Sequence, residues 1–257
     1  MPITSISFFH FPKGQRWWAF SQMRTGPGKL AKIKGLHFAK LMGSGHGAGF
    51  SAKPNWSVYS LLGVWDSLDD FLTFQHHNWG GQYFQRSDEA VTLLQHPIKV
   101  KGQWSGQEPF SEEKPHGQTA IRGIITRATI RPGQLIRFWK QVPHTSRATE
   151  AAEGRLFSLG IGEWPWIQQA TYSLWESEEA MRQFAYKSKA HQEAIRMTHE
   201  YDWYSEEMFA RFEPLATLGT WQGQPLIEPA EVPTFSAVPP PTEHPALAKA
   251  VGKKTAS

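Results

Sequence analysis

VWDSLDDFLTF at residues 64–74 returns as LWESEEAMRQF at residues 174–184. In both stretches an apolar residue and a tryptophan end a strand-like run, then an acid and a serine introduce a helix. The serine hydroxyl caps the first turn, and the carboxylates that follow favour the positive end of the helix dipole. Working outward, FSQ at 20–22 matches WKQ at 139–141, Gly43 matches Gly162, and Trp104 and Gly106 match Trp221 and Gly223. The offset is 119 at Gly43/Gly162, 110 at Trp65/Trp175 and 117 at Trp104/Trp221, so the order of elements is kept while loops and one helix change length. The chain is a duplication, with modules over residues 1–110 and 111–224, each of ordinary domain size.

Each half reads strand, helix, strand, strand, helix, strand. In the second half the predicted strands are 120–130, 155–163, 167–175 and 205–220. A helix between the first two begins at RPG 131–133, with Pro132 in the first turn where a missing N–H costs little, and Pro143 is expected to end it. The second helix opens at Ser177. The first half gives strands 4–11, 36–43, 55–65 and 90–104, with helices 15–23 and 67–86. That order is the split βαβ, or ferredoxin-like, unit of the α+β class. Two such units can pack sheet against sheet as an intrachain α+β barrel, or stand side by side. The short linker 105–118 and strands apolar on both faces favour the barrel.

The composition of 257 residues, 40% apolar and 19% charged, supports a substantial core, and 12 Trp and 16 Phe make it aromatic. Cysteine is absent, which excludes disulfides, thiolate-ligated metals and haem, and a cysteine nucleophile. The net charge of +4 is spread along the chain and selects no partner. No apolar run approaches the ~20 residues of a membrane helix and no leader-like segment opens the chain, so the expected location is cytoplasmic, with peripheral contact at the inner membrane allowed. Residues 225–257 are rich in Pro and Ala and are expected to be a disordered tail.

Several residues are candidates for chemistry. Met181, Phe184, Ser188, His191 and Ile195 follow helical spacing, which would set His191 on a buried stripe. Its counterpart in the first copy is Gly81. A core histidine bonded to a backbone carbonyl is the bland alternative to a ligand. The glycine-rich stretch 43–49 lacks the following helix that a dinucleotide turn needs, so it reads as a hairpin connection or flap. Lys40 and Lys53 flank it and could pair with cofactor carboxylates. His76 and His77 point in different directions on a helix, His191 and His199 are eight apart, and no metal-protease or facial-triad motif occurs, so a non-haem metal centre is weakly supported. Arg127 lies among Ile124, Ile125, Ala128 and Ile130 and needs an anionic or polar partner. Gln169 and Ser173 alternate onto one sheet face. Trp17, Trp18, Phe138, Trp139, Trp164 and Trp166 read first as core aromatics, and become candidate walls of an apolar channel only through what the resemblance that follows implies.

The stretches KLMG (40–43), GFSAKPN (49–55), TRATIRPG (126–133), FW (138–139), GIGE (160–163) and HQEAIRMTHEYDWYSEEMFARF (191–212) resemble the spheroidene monooxygenase family, the acyclic carotenoid ketolases. The resemblance covers about residues 5–223. Met208 and Phe209 depart from the family pattern, and His37 and His46 are not carried over as functional. The resemblance implies a haem b oxygenase on a dimeric-α+β-barrel type of fold, similar in architecture to aldoxime dehydratases, with His191 as the axial iron ligand. Phe184, Trp139, Lys40 and Lys53 would be further cofactor contacts. Arg127, Gln169 and Ser173 would be catalytic candidates on the oxygen-binding side. The implied partners are an apolar polyene, O₂, an electron donor such as ferredoxin, and a membrane surface touched transiently. Two hydroxylations at one allylic carbon would give a geminal diol that loses water to a ketone. The rival readings are a haem-dependent lyase of the aldoxime dehydratase type, and a tandem RNA-recognition protein. The latter is disfavoured because neither third strand carries the required aromatic motif, so no nucleic-acid partner is expected.

Overall fold

A strand with apolar side chains on both faces needs cover on both. Residues 3–11 set that condition: Ile6 and Phe8 turn to one side, Phe9 and Phe11 to the other, and all four are fully buried. The computed structural model describes residues 1–46, 51, 53–77, 79–117 and 119–227, without the side chains of residues 144, 187, 189–191 and 199. Its strands are β1 Ile3–His10, β2 Leu36–Gly45, β3 Pro54–Trp65, β4 Glu89–Gly102, β5 Arg122–Ile130, β6 Arg155–Trp164, β7 Gln168–Trp175 and β8 Tyr204–Gly219. Its helices are α1 Arg16–Leu30, α2 Leu68–His76, α3 Gly81–Arg86, α4 Leu135–Glu150, α5 Glu178–Lys187 and α6 Lys189–Tyr201.

The eight strands close into one antiparallel barrel in the order β1-β3-β2-β6-β7-β5-β8-β4. Its interior is filled from both halves, by Ile6, Phe8, Met42 and Leu62 against Ile125, Ile161, Tyr172 and Phe212. The helices cover the outside. Two seams join the halves. β4 and β8 run together from Val91↔Gly219 to Gly102↔Met208, whereas β2 and β6 meet, among the described residues, at Gly43↔Gly162 and Ser44↔Ile161. Gly43 and Gly162 are repeat mates facing each other. So the duplication in the sequence becomes an approximate twofold relation in the barrel.

The same relation governs the long seam. Gly102 has φ +89° and Gly219 φ +80°, and an added Cβ would lie 2.1 Å from the Glu207 carbonyl oxygen or 2.2 Å from that of Ala90. Only glycine meets both demands. Beyond these glycines, matching bridges Trp104↔Gln107 and Trp221↔Gln224 close equivalent turns.

Ser67 and Ser177 cap α2 and α5 by accepting the N–H of Asp70 and Ala180. Three helix expectations are corrected. α4 runs through Pro143 to Glu150, because Arg155 satisfies its last turn by donating to the Thr149 and Glu150 carbonyls. α1 likewise continues through Pro27 to Leu30. The second helix of each half is two helices, broken at His77 and at Ser188, where ψ opens to 143° and 104°. The continuous stripe from Met181 to Ile195 therefore does not form, and Ile195 is exposed. Residues 47–50 lie outside the described residues, though β2 and β3 pair up to Gly45↔Pro54 as a hairpin connection requires. Most of the predicted tail, residues 228–257, also lies outside them.

Candidate functional site between the second sheet and its helices

The register allows the two helix-facing sheet surfaces to be compared position by position. In the first half one row runs Leu41, Leu61, Ser7, Thr92, and all four are buried. The matching row in the second half is Gly160, Thr171, Thr126, Phe209. Here Thr126 is exposed and Thr171 and Phe209 are half-buried, in the middle of a sheet that helices cover. The adjacent row changes from Gly43, Tyr59, Phe9, Ala90 to Gly162, Gln169, Ala128, Glu207. In the first half, Tyr83 and Phe84 of α3 close the layer against Phe9, with ring centroids 5.5 and 5.0 Å away. Their counterparts on α6 are Glu193 and Ala194.

Leu41, Leu61, Tyr59 and Phe9 of the floor and Tyr83 and Phe84 of the roof have thus given way to smaller or polar residues in the second half, while Thr92 and Ala90 have become Phe209 and Glu207. The first half has a single continuous core between sheet and helices. The second has two separate clusters. One is built on Ile130, Phe138, Val142 and Trp203, the other on Ile124, Trp175 and Met181. Between them lie Thr126 and Thr171, neither of them buried, so the two clusters are separated by a hydroxyl-bearing strip of the sheet, hereafter the slot.

The predicted residues divide between the two faces of this sheet. Gln169 and Ser173 pair with Ala128 and Ile124 and share their helix-facing side. Gln169 is buried and its amide donates to the Trp164 carbonyl at 3.2 Å, while Ser173 accepts the Trp175 indole N–H at 2.9 Å. Phe184 stacks on Trp175 at one end of the slot, with centroids 5.1 Å apart. Trp139 packs on Phe138 at the other and donates to the Trp166 carbonyl. His191 is the third residue of α6, but its side chain lies outside the described residues. Trp18 is packed in the first half, whereas Trp17, Trp164 and Trp166 are exposed. Lys53 is exposed, and His77 accepts the Trp79 N–H.

Arg127 and Lys40 face the barrel interior instead. Arg127 stands where the first half has Phe8, is 1% exposed, and lies over the Trp104 ring at 5.7 Å. It donates to Glu206 and lies 3.8 Å from Glu163. Glu163 accepts from Lys40 at 2.8 Å and from the Trp104 indole at 2.6 Å. Burial alone would raise the Glu206 carboxyl, but the Gly106 and Ser105 N–H groups and Arg127 outweigh it and hold its pKa below the ordinary value. Lys40 and Glu163 also line a cavity of about 320 Å³ with Leu36, Phe38 and Trp164, beside the short seam. This network joins both halves and leaves Lys40 committed to Glu163 and the Ser105 hydroxyl.

Sequence reading missed Thr126 and Thr171, whose signal is the contrast with Ser7 and Leu61 in the repeat. It also missed His96, Glu113 and His116, which the folded linker brings into one group.

No protein-family model matches the chain. It is 34% identical over 255 residues to spheroidene monooxygenase of Cereibacter sphaeroides, covering 97% of this chain and 78% of that protein. It is 35% identical over 231 residues to spheroidene monooxygenase of Rhodobacter capsulatus, covering 87% and 95%. Among solved structures, an aldoxime dehydratase is similar in fold, with a TM-score of 0.52 at 8% identity over 83% of this chain and 81% of that one. These likenesses and the barrel define an enzyme of the monooxygenase class on an α+β scaffold. The chain belongs to the spheroidene monooxygenase family.

Proposed function

We propose that this protein is a haem-dependent monooxygenase that inserts oxygen into acyclic carotenoids of the spheroidene type, first as hydroxyl and then as ketone. The supporting observation is the emptied layer of the second half, where Gly160, Thr171, Gln169 and Ala128 replace Leu41, Leu61, Tyr59 and Phe9. We assign residues 1–110 and 111–224 to two ferredoxin-like modules, the second carrying the site. His191, near the start of α6, would hold the iron of haem b, and Phe184 and Trp139 would bound the ring at either end. When bound, the haem supplies O₂ activation at an iron held by neutral imidazole.

The chain's own residues do the rest. The hydroxyls of Thr126 and Thr171 and the Gln169 amide supply hydrogen-bond donors on the floor of the slot, where charge on a reacting oxygen needs them. The two flanking apolar clusters exclude water. Arg127 holds the interior network that fixes β5 behind that floor. Each insertion places one oxygen atom in a C–H bond and releases the other as water, consuming two electrons and two protons from an external donor such as a ferredoxin. A second insertion at the same carbon gives the geminal diol, and loss of water leaves the ketone.

A polyene partitions into lipid, so access to a membrane surface is part of this reading. Trp17, Phe20 and Trp56 form an exposed aromatic stack, with centroids 5.6 and 5.2 Å apart, and Lys13 and Arg24 are exposed near it in the chain. Amphipathic tryptophans with basic neighbours suit a headgroup interface. Among the described residues no helix is long and apolar enough to cross a membrane.

The test is the absorption spectrum of protein supplied with haem, beside that of His191→Ala. The expected result is a Soret band in the wild type that the variant loses or strongly weakens. A wild type that takes up no haem overturns the reading. An unchanged variant moves the ligand elsewhere.

A further inference from the structure

We propose that His96, Glu113 and His116 form a binding site for one divalent transition-metal ion, best matched by Zn²⁺, that fastens the linker between β4 and β5 to the barrel wall. The site is separate from the slot over the second sheet and uses none of its residues.

The linker is folded back along β4 by its own hydrogen bonds. Glu113 N–H donates to the Pro97 carbonyl at 2.8 Å, the Val100 N–H donates to Glu112 at 2.6 Å, and the His116 N–H donates to Glu213 at 2.6 Å. These contacts deliver two imidazoles and a carboxylate to one point. His96 Nδ1 lies 3.4 Å from Glu113 Oε2, His116 Nε2 lies 3.8 Å from the same oxygen, and all three donor atoms fall within 4.8 Å of one another. Zinc bonds of about 2.0–2.2 Å at tetrahedral angles set donors about 3.3 Å apart. The required contraction is small and falls on His116, which sits on the exposed linker.

A second observation points to a ligand. His96 is 6% exposed, yet its Nδ1 makes no hydrogen bond. A buried nitrogen that faces a carboxylate oxygen at 3.4 Å without a hydrogen bond between them calls for an explanation, and a cation bound between the two supplies one. Glu213, fully buried and paired in register with His96, adds negative charge beside the site. Two nitrogens and one oxygen, with a position left for water, suit zinc and exclude a preference for calcium or magnesium.

The experiment uses full-length, tag-free protein, stripped with chelator and kept free of haem so that no iron is counted. Zn²⁺ is titrated by calorimetry and counted by elemental analysis after gel filtration. Co²⁺ is substituted to record its visible bands. We expect one Zn²⁺ per chain, a melting temperature raised by the metal, and Co²⁺ bands of low-coordination type. His116→Ala, on the exposed linker, should weaken binding by at least about tenfold, since even outer-shell partners carry that much. Glu113→Gln should act in the same direction, while both variants load haem as the wild type does. Absence of Zn²⁺ after gel filtration overturns the proposal, as does equal affinity in wild type and both variants.

Discussion

Arg127 occupies a place that Phe8 fills in the other half, so a charge has replaced an aromatic ring inside the same barrel. Removing it would leave Glu206, partly buried, without its side-chain cation, while Glu163 would keep Lys40. Arg127→Ala should therefore destabilise the protein in urea unfolding, by less than the about 3–5 kcal/mol for breaking a fully buried pair, since Glu206 keeps the Ser105 and Gly106 N–H groups. Because the Glu206 pKa is lowered on folding, its stabilisation is present above the ordinary carboxyl range and is lost as pH falls through the folded value. Melting temperature should decline on the acid side in the wild type, and the decline should be shallower in Glu206→Gln. A slope unchanged by the variant would remove Glu206 from that account. The need of Arg127 for an anionic or polar partner was legible from its isoleucine neighbours. Which face it takes was not, since that depends on Arg127↔Ala170 and Ala128↔Gln169 pairing across strands, 43 and 41 residues apart in the chain. The slot makes a sharper test at this scale. Gly160→Leu with Thr171→Leu restores the first half's plug, and it should abolish haem uptake while leaving an apoprotein at least as resistant to heat as the wild type. Loss of fold would instead show that the layer was already full.

Among the elements, the two capped helices were readable and their ends were not. Ser67 and Ser177 stand at the same place in the repeat, followed by acids, and both make the expected bond. Ser177→Ala should cost about 1 kcal/mol in unfolding free energy. The break at Ser188 has no proline or glycine to announce it, so a helical pattern laid over residues 181–195 carried straight through. Pro143 misled in the opposite sense. The loss of one backbone bond there is local, and Arg155, reaching back from β6, sustains the turns beyond it. His96 and Glu113 are far apart in sequence and meet only because the linker doubles back, which no local pattern encodes. The glycines at the β4–β8 crossing behave differently, since their positive φ and carbonyl contacts leave no room for a side chain. Gly219→Ala should be markedly more destabilising than Gly133→Ala, whose Cβ meets open space, and equal melting temperatures would contradict this.

For the molecule as a whole, the repeat made a closed barrel foreseeable, because strands covered on both faces leave few other ways to pack two such sheets. The aromatic stack of Trp17, Phe20 and Trp56 lies on the first half, away from the emptied layer of the second. Replacing Trp17 and Phe20 with Glu should reduce co-sedimentation with anionic vesicles while haem uptake stays intact; undiminished sedimentation would assign the lipid contact to another surface. The two seams also differ in kind. β4 and β8 are laced along most of their length, and β2 and β6 touch near Gly43 and Gly162 with a cavity already beside them. A closed cylinder stitched firmly on one side and, among the described residues, lightly on the other should part first along the lighter side. Amide exchange should be fastest where the stitching is sparse, and equal protection along both seams would show that the cylinder holds together evenly.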